Sequence, residues 1–165
     1  MLIIRKIVVA GTFDILHPGH IFLINEAAKL GEVYVIVATD KNRERFTRKL
    51  PIIPEDQRLE VIKSLKNVKD ARLGRKGNNI LLTILDIKPD VILLGPNQDF
   101  QKNNLKNALK KIGLDDIEVK RLDTYYDKYE LNSSSLIKRK IIKNSNQKKR
   151  NKRLVYNSPI KFGEV

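Results

Sequence analysis

Apolar positions along the chain follow two rhythms. Short unbroken apolar runs, long enough only for strands, alternate with stretches whose apolar positions recur every three or four residues. "KIVVAG", "EVYVIVATD", a short run at Ala71 to Leu73, "PDVILLG" and "IEVKRL" read as five strands. Helical patterns lie between them. Pro18 to Leu30 forms one, closed by Gly31 as a C′ residue, and Pro54 opens another with Leu59, Val61, Ile62 and Leu65 as its apolar positions. Asn79 to Ile87 and Leu105 to Ile112 follow, and Leu136 to Ile142 is expected to close the domain. The basic stretch after the second strand carries no apolar stripe and reads as a loop. Strands alternating with helices predict an α/β domain: a doubly wound, five-stranded parallel sheet of Rossmann-like architecture, covered on both faces. Such sheets bind ligands beyond the carboxyl ends of their strands, where the winding reverses.

No internal repeat is present, and Gly11 is not followed by the glycines of a dinucleotide fingerprint, which disfavours ordinary NAD binding. After Lys143 the periodicity dissolves, so residues 1–143 are expected to form the domain and 144–165 a basic, flexible tail. Of the formal charge of +14, a net +8 lies from Arg139 onward. The body is therefore only moderately basic. A basic surface attracts polyanions, and weak nucleic-acid binding is an expectation for the tail alone. No apolar run approaches the ~20 residues a bilayer requires, and Arg5 and Lys6 interrupt the N-terminal run, so neither a membrane span nor a signal peptide is expected. Cysteine is absent, which removes thiolate chemistry and disulfides. A cytoplasmic protein is the economical reading.

The chain's two histidines both stand in "GTFDILHPGH", directly after the first strand. Pro18 suits the first turn of a helix, which puts His17 at the cap and His20 one turn in. That helix end presents free N–H groups and the positive end of the macrodipole. Gly19 leaves space for close approach of a ligand to the backbone. Strand, turn, helix N-terminus and two imidazoles together read as a phosphate cradle. The plain alternative is a cap and a surface histidine; His-x-x-His without further ligands is a poor zinc site.

The decapeptide resembles the His-x-Gly-His signature of the cytidylyltransferase-like nucleotidyltransferases. "KLGEVYVIVATD", "PIIPEDQRLEVIKSLKNVKDARLG", "IKPDVILLGPNQ" and "NSSSLIK" are similar, in order and spacing, to segments of the archaeal FAD synthases. The resemblance implies transfer of AMP from ATP to FMN, giving FAD and pyrophosphate, with a divalent metal such as Mg. It implies that His17 and His20 stabilise the transferring phosphate and that Thr12, Phe13, Pro18 and Gly19 touch the nucleotide. Asp14 either fixes the turn or helps hold a metal. Arg58 occupies the position at which related families use an arginine for substrate phosphate. Lys49, in the basic stretch, and Lys138, where relatives often have arginine, are further phosphate candidates. Asn97 replaces the aspartate common in relatives and is expected, with Gln98, to face the histidines. Ser133, Ser134 and Ser135 are expected at the β- and γ-phosphates, with ordinary helix capping as the compatible alternative. Tyr125 and Tyr126 could stack on a ring or simply pack. A homodimer is a further expectation. The competing functions are a cytidylyltransferase acting on glycerol 3-phosphate or a sugar phosphate, and an inert nucleotide fold that binds nucleic acid through the tail.

Overall fold

The computed structural model describes residues 4–77, 81–98 and 101–156, with side chains through Lys149. Its order is β1 (Lys6–Gly11), α1 (Pro18–Ala28), β2 (Glu32–Val37), α2 (Asp40–Thr47), α3 (Glu55–Lys63) and β3 (Asp70–Leu73). Then come α4 (Leu82–Ile87), β4 (Val91–Leu94), α5 (Lys102–Lys111), β5 (Glu118–Arg121) and α6 (Ser134–Tyr156). The five strands form one parallel sheet in the order β3-β2-β1-β4-β5. All five predicted strands are present, and the winding reverses between β1 and β4.

Alternation along β1 explains why the sheet is covered twice. Ile7 and Val9 point to the face carrying Leu23, Ile24 and Ala27 of α1 and Ile62 of α3. Val8 between them joins Ile84, Ile87, Leu105 and Leu109 of α4 and α5 on the other face. These residues are nearly inaccessible to water, and each fully buried aliphatic side chain contributes about 1.5–3 kcal/mol of transfer free energy. Gly31 is required where the chain passes under the entry to β1: a Cβ there would lie 2.2 Å from the Arg5 carbonyl oxygen.

Three elements differ from the periodicity. The stretch after β2 is helix α2, because Thr39 caps it by accepting from Asn42 N–H at 3.2 Å and Arg48 ends it in the left-handed conformation. Only Asn42 faces inward there, and its side-chain amide donates to the Arg75 carbonyl at 3.0 Å, so no apolar stripe announces the helix. In α3 the buried positions are Arg58 and Ile62, while Val61 is 46 % exposed. The closing helix α6 runs to Tyr156 and does not stop at Ile142. Its residues Arg139 to Lys149 are all exposed, so intrinsic propensity, with no Gly or Pro to break it, carries the extension. Asn79 and Ile80, expected to begin α4, lie outside the described residues. Among the described residues no helix is long and apolar enough to cross a membrane.

Candidate active site

The turn between β1 and α1 sits at the carboxyl edge of the sheet, beside the reversal of winding. His17 has extended backbone angles and serves as the N-cap residue of α1, with its carbonyl accepting from His20 N–H at 2.9 Å. The extended cap and the helical first turn bring the two imidazoles together. Their rings stack at 3.7 Å between centroids and 27° between planes, and Phe13 tilts against His20 at 5.1 Å. Phe13 itself takes φ 52°, an uncommon conformation for a bulky residue, with its ring buried beneath Gly11.

Both histidines are held neutral. Burial lowers the pKa of His17. Burial, reinforced by the neighbouring His17 and opposed by Asp14, lowers that of His20 to about 3. Both Nδ1 atoms are buried without a hydrogen-bond partner among the described residues. A buried N–H left unpaired is rarer than a buried acceptor left unpaired, so the tautomer with hydrogen on Nε2 is favoured. Each ring then presents a donor away from its buried nitrogen.

The start of α6 packs against this turn. Ser133 Oγ caps α6 by accepting from Leu136 N–H at 3.2 Å. Ser134 Oγ donates to the Ile15 carbonyl at 3.1 Å and accepts from Ile15 N–H at 3.4 Å. Gly19 meets the Asn132 carbonyl: an added Cβ would lie 2.8 Å from that oxygen and 3.0 Å from His17 Nδ1. The space above Gly19 is thus filled by this chain and not left for a ligand, a correction to the sequence reading. Two helix N-termini therefore converge beside the histidines, and neither has an acidic residue in its first turn. They form an anion-seeking end.

Several predicted ligands are engaged by the protein. Arg58 is 1 % exposed; its Nε donates to the Ile53 carbonyl at 2.8 Å, another nitrogen to the Thr12 carbonyl, and a third to Asp40 Oδ1 at 2.6 Å. Arg58 braces the turn from beneath and does not reach for a phosphate. Asp14 accepts from Ile53 N–H at 2.9 Å through Oδ1 and pairs with Lys138 through Oδ2. Burial alone would raise its pKa, but the bonds from Ile53 and Lys138 hold it below the ordinary carboxylate value. With both oxygens engaged, Asp14 fixes the turn and does not fit as a metal ligand. No cluster of three metal-ligating side chains occurs among the described residues. Lys138 is correspondingly drawn to Asp14, while Lys49 is exposed in the segment between α2 and α3.

Across the reversal, Gln98 does not point to the histidines. It donates to the Ala10 carbonyl at 2.6 Å and accepts from Gly95 N–H at 3.0 Å, stitching the ends of β1 and β4 together. Arg121 donates to the carbonyls of Gly95 and Gln98 at 2.9 and 3.0 Å. Asn97 remains exposed, with Oδ1 accepting from the half-exposed Tyr125 hydroxyl at 2.5 Å. Tyr126 packs on Phe22 of α1 and on Tyr129. Ser135 is exposed at the start of α6. Sequence reasoning missed the reciprocal pair between α2 and α3. There Asp40 N–H donates to Glu55 Oε2 at 2.5 Å and Glu55 N–H to Asp40 Oδ2 at 3.2 Å. No spacing rule links residues so placed.

The fold and this edge define a doubly wound α/β protein with two stacked, neutral imidazoles at its anion-seeking end. The chain belongs to the cytidylyltransferase-like family, whose pattern it matches over residues 8–140. It is 43 % identical over 135 residues to a protein of Pyrococcus horikoshii named FAD synthase, covering 81 % of this chain and 90 % of that one. A protein of Methanosphaerula palustris with the same name is 46 % identical over 138 residues, covering 83 % and 88 %. Among solved structures, the lipopolysaccharide core biosynthesis protein of Thermoplasma volcanium superposes with a TM-score of 0.70 at 38 % identity, over 75 % of this chain and 99 % of that one. A protein from Archaeoglobus fulgidus, described as of unknown function, shares the fold at a TM-score of 0.57 and 21 % identity, over 78 % and 93 %.

Proposed function

We propose that this chain is an FMN adenylyltransferase, joining ATP and FMN into FAD and pyrophosphate. The observation that carries the reading is the stacked, neutral His17–His20 pair at two acid-free helix N-termini. The relatives named FAD synthase supply the substrate pair. A phosphate oxygen of FMN attacks the α-phosphorus of ATP; a new P–O bond forms, and the bond to the β-phosphate bridging oxygen breaks. The second ionisation of a phosphate monoester lies near pH 6, so the nucleophile is already an anion and needs no base. Charge then builds on the α-phosphate oxygens and on the departing pyrophosphate. The Nε2–H donors of His17 and His20 and the two helix ends stabilise it. Thr12, Phe13, Pro18 and Ser133 to Ser135 line the triphosphate, and Asn97 with Tyr125 receives the base. Asp14, Arg58 and Lys138 hold the turn. A divalent cation enters as the metal chelate of ATP, and it belongs to the substrate.

The catalytic domain in this reading is residues 1–143, working in the cytoplasm as a monomer or homodimer, with the rest of α6 a basic arm. The test is pyrophosphate release from ATP or CTP with a panel of phosphorylated acceptors. ATP with FMN is expected to react fastest and to yield FAD. Because one solved relative is titled a lipopolysaccharide core biosynthesis protein, a sugar phosphate is tested beside FMN as the second acceptor. Faster reaction of CTP or ATP with glycerol 3-phosphate or a sugar phosphate would replace FMN as the acceptor.

A further inference from the structure

Large apolar side chains in water need a reason when several share one short segment. Phe46, Leu50 and Ile52 are 63, 58 and 65 % exposed, and they fall within seven residues of chain, "FTRKLPI". The exposed cations Arg45, Arg48 and Lys49 are interleaved with them. The segment leaves α2 through the left-handed Arg48 and ends at Ile53. Ile53 is held at both its backbone groups: its N–H donates to Asp14 Oδ1 at 2.9 Å and its carbonyl accepts from Arg58 Nε at 2.8 Å. Asp14 lies three residues before His17, and Arg58 also grips the Thr12 carbonyl. The apolar segment is thus continuous, by hydrogen bonds, with the turn that carries the two histidines.

We propose that Phe46, Leu50 and Ile52 form the platform for the flat ring system of a phosphorylated aromatic acceptor. Building on the adenylyltransferase reading, that ring is the isoalloxazine of FMN. The interleaving supplies the complementarity: apolar surface for a ring, and cations for an anionic ligand. Geometry supplies the direction. The acceptor phosphate must reach the α-phosphorus beside the histidines, so its ring has to lie along the crevice from the turn. Ile52 is the residue next to the one pinned to Asp14, on the β2 side of β1. The other side of the crevice, at the ends of β4 and β5, offers Asn97 and Tyr125 to the nucleotide base. A small acceptor such as glycerol 3-phosphate would leave this platform bare, which makes the segment a selector among acceptors.

The experiment compares the full chain with Ile52→Asp, Leu50→Asp and Phe46→Ser, and with Val61→Ser as an exposed apolar control on α3. Quenching of FMN fluorescence reads binding directly, and initial rates of FAD formation read KM for each substrate. Each platform variant is expected to melt like the parent, to raise KM and Kd for FMN about 10-fold or more, and to leave KM for ATP and kcat near their starting values. Val61→Ser is expected to change neither. Unchanged FMN affinity in platform variants that still make FAD would overturn the proposal while leaving the adenylyltransferase reading intact. So would conversion of a dimeric parent to monomers without any change in KM, since the patch would then cover a second copy. A parent that neither binds FMN nor forms FAD would sink the reading and this proposal together.

Discussion

Helices α1 and α6 on one hand, and α2 and α3 on the other, handle the same problem at their N-termini in opposite ways. In α2 and α3 the positive ends face each other's carboxylates: Asp40 accepts from Glu55 N–H, and Glu55 accepts from Asp40 N–H. Asp56 adds a third acid, and the buried guanidinium of Arg58 ties Asp40 to the turn that carries the two histidines. That end is self-neutralised. In α1 and α6 the first turns carry no acid, and two imidazoles kept uncharged by burial stand at the start of α1. The difference separates the frame of the site from its working face. Helix ends alike in their dipoles become structural when the chain supplies the anion and functional when it does not.

The largest effect should come from the working face. Replacing His17 or His20 with Ala should lower kcat by ~100- to 1,000-fold, the usual consequence of deleting a donor to a developing oxyanion. ATP affinity should change far less, because the two helix ends remain. Pre-steady-state rates and equilibrium nucleotide binding separate the two quantities. Near-normal turnover in a folded double variant would mean that the helix ends alone carry the charge.

At the frame, Arg58→Met should cost about 3 kcal/mol of stability, near the low end for breaking a buried ion pair because Asp40 is a third exposed. Urea unfolding measures it, and Arg58→Lys should recover only part, since ammonium cannot hold three acceptors in one plane. A variant that unfolds like the parent but loses affinity for the acceptor phosphate would return Arg58 to the working face.

This pair of positions also shows what a sequence discloses. The alternation of apolar runs predicts all five strands and the reversal of winding, because burial on both sheet faces leaves a direct trace in residue type. The histidine box is legible for the same reason: Pro18 and the preceding strand fix where the imidazoles stand. Whether a charge is open to a ligand is not legible. Arg58, Lys138 and Gln98 look alike available, and each is engaged by a partner at least 46 residues away in sequence, which no local pattern encodes. Helix α2 escaped notice because its stability rests on caps and one buried amide, with no apolar stripe.

A smaller effect follows from the neutral histidines. The folded pKa of His20 lies near 3, below the ordinary value of 6.5, so the unfolded chain binds a proton that the folded one refuses. Stability is therefore present in full above pH 6.5 and declines as the pH falls from 6.5 toward 3, by ~1.4 kcal/mol per unit for one such group. Urea melts at pH 7.5 and pH 5 should show this loss, and His20→Ala should remove most of it. ATP should also restore stability at pH 5, because a bound polyanion favours the protonated imidazole. Equal stability at both pH values would mean that the ring is solvated and that the working face is open before substrate arrives.

The smallest effect is expected where α6 leaves the body. Among the described residues its polar contacts to the site come from its beginning: Ser133 and Leu136 at the cap, Ser134 to Ile15, and Lys138 to Asp14. Beyond them Arg139 to Lys149 are all exposed, Ile141 and Ile142 included, so the helix there buries little that could stabilise the domain. Six of the chain's Lys and Arg lie after Lys143, against the single acid Glu164. A chain ending at Lys143 should then keep its turnover and lie within about 0.5 kcal/mol of the parent in stability, as surface changes do. What it should lose is affinity for polyanions, which in the full chain is expected to fall steeply between low and moderate salt. Retained turnover with lost polyanion binding would make the arm a separate device. A collapse of turnover or of melting temperature would show that the arm completes the acid-free end of α6, and the boundary between frame and working face would move with it.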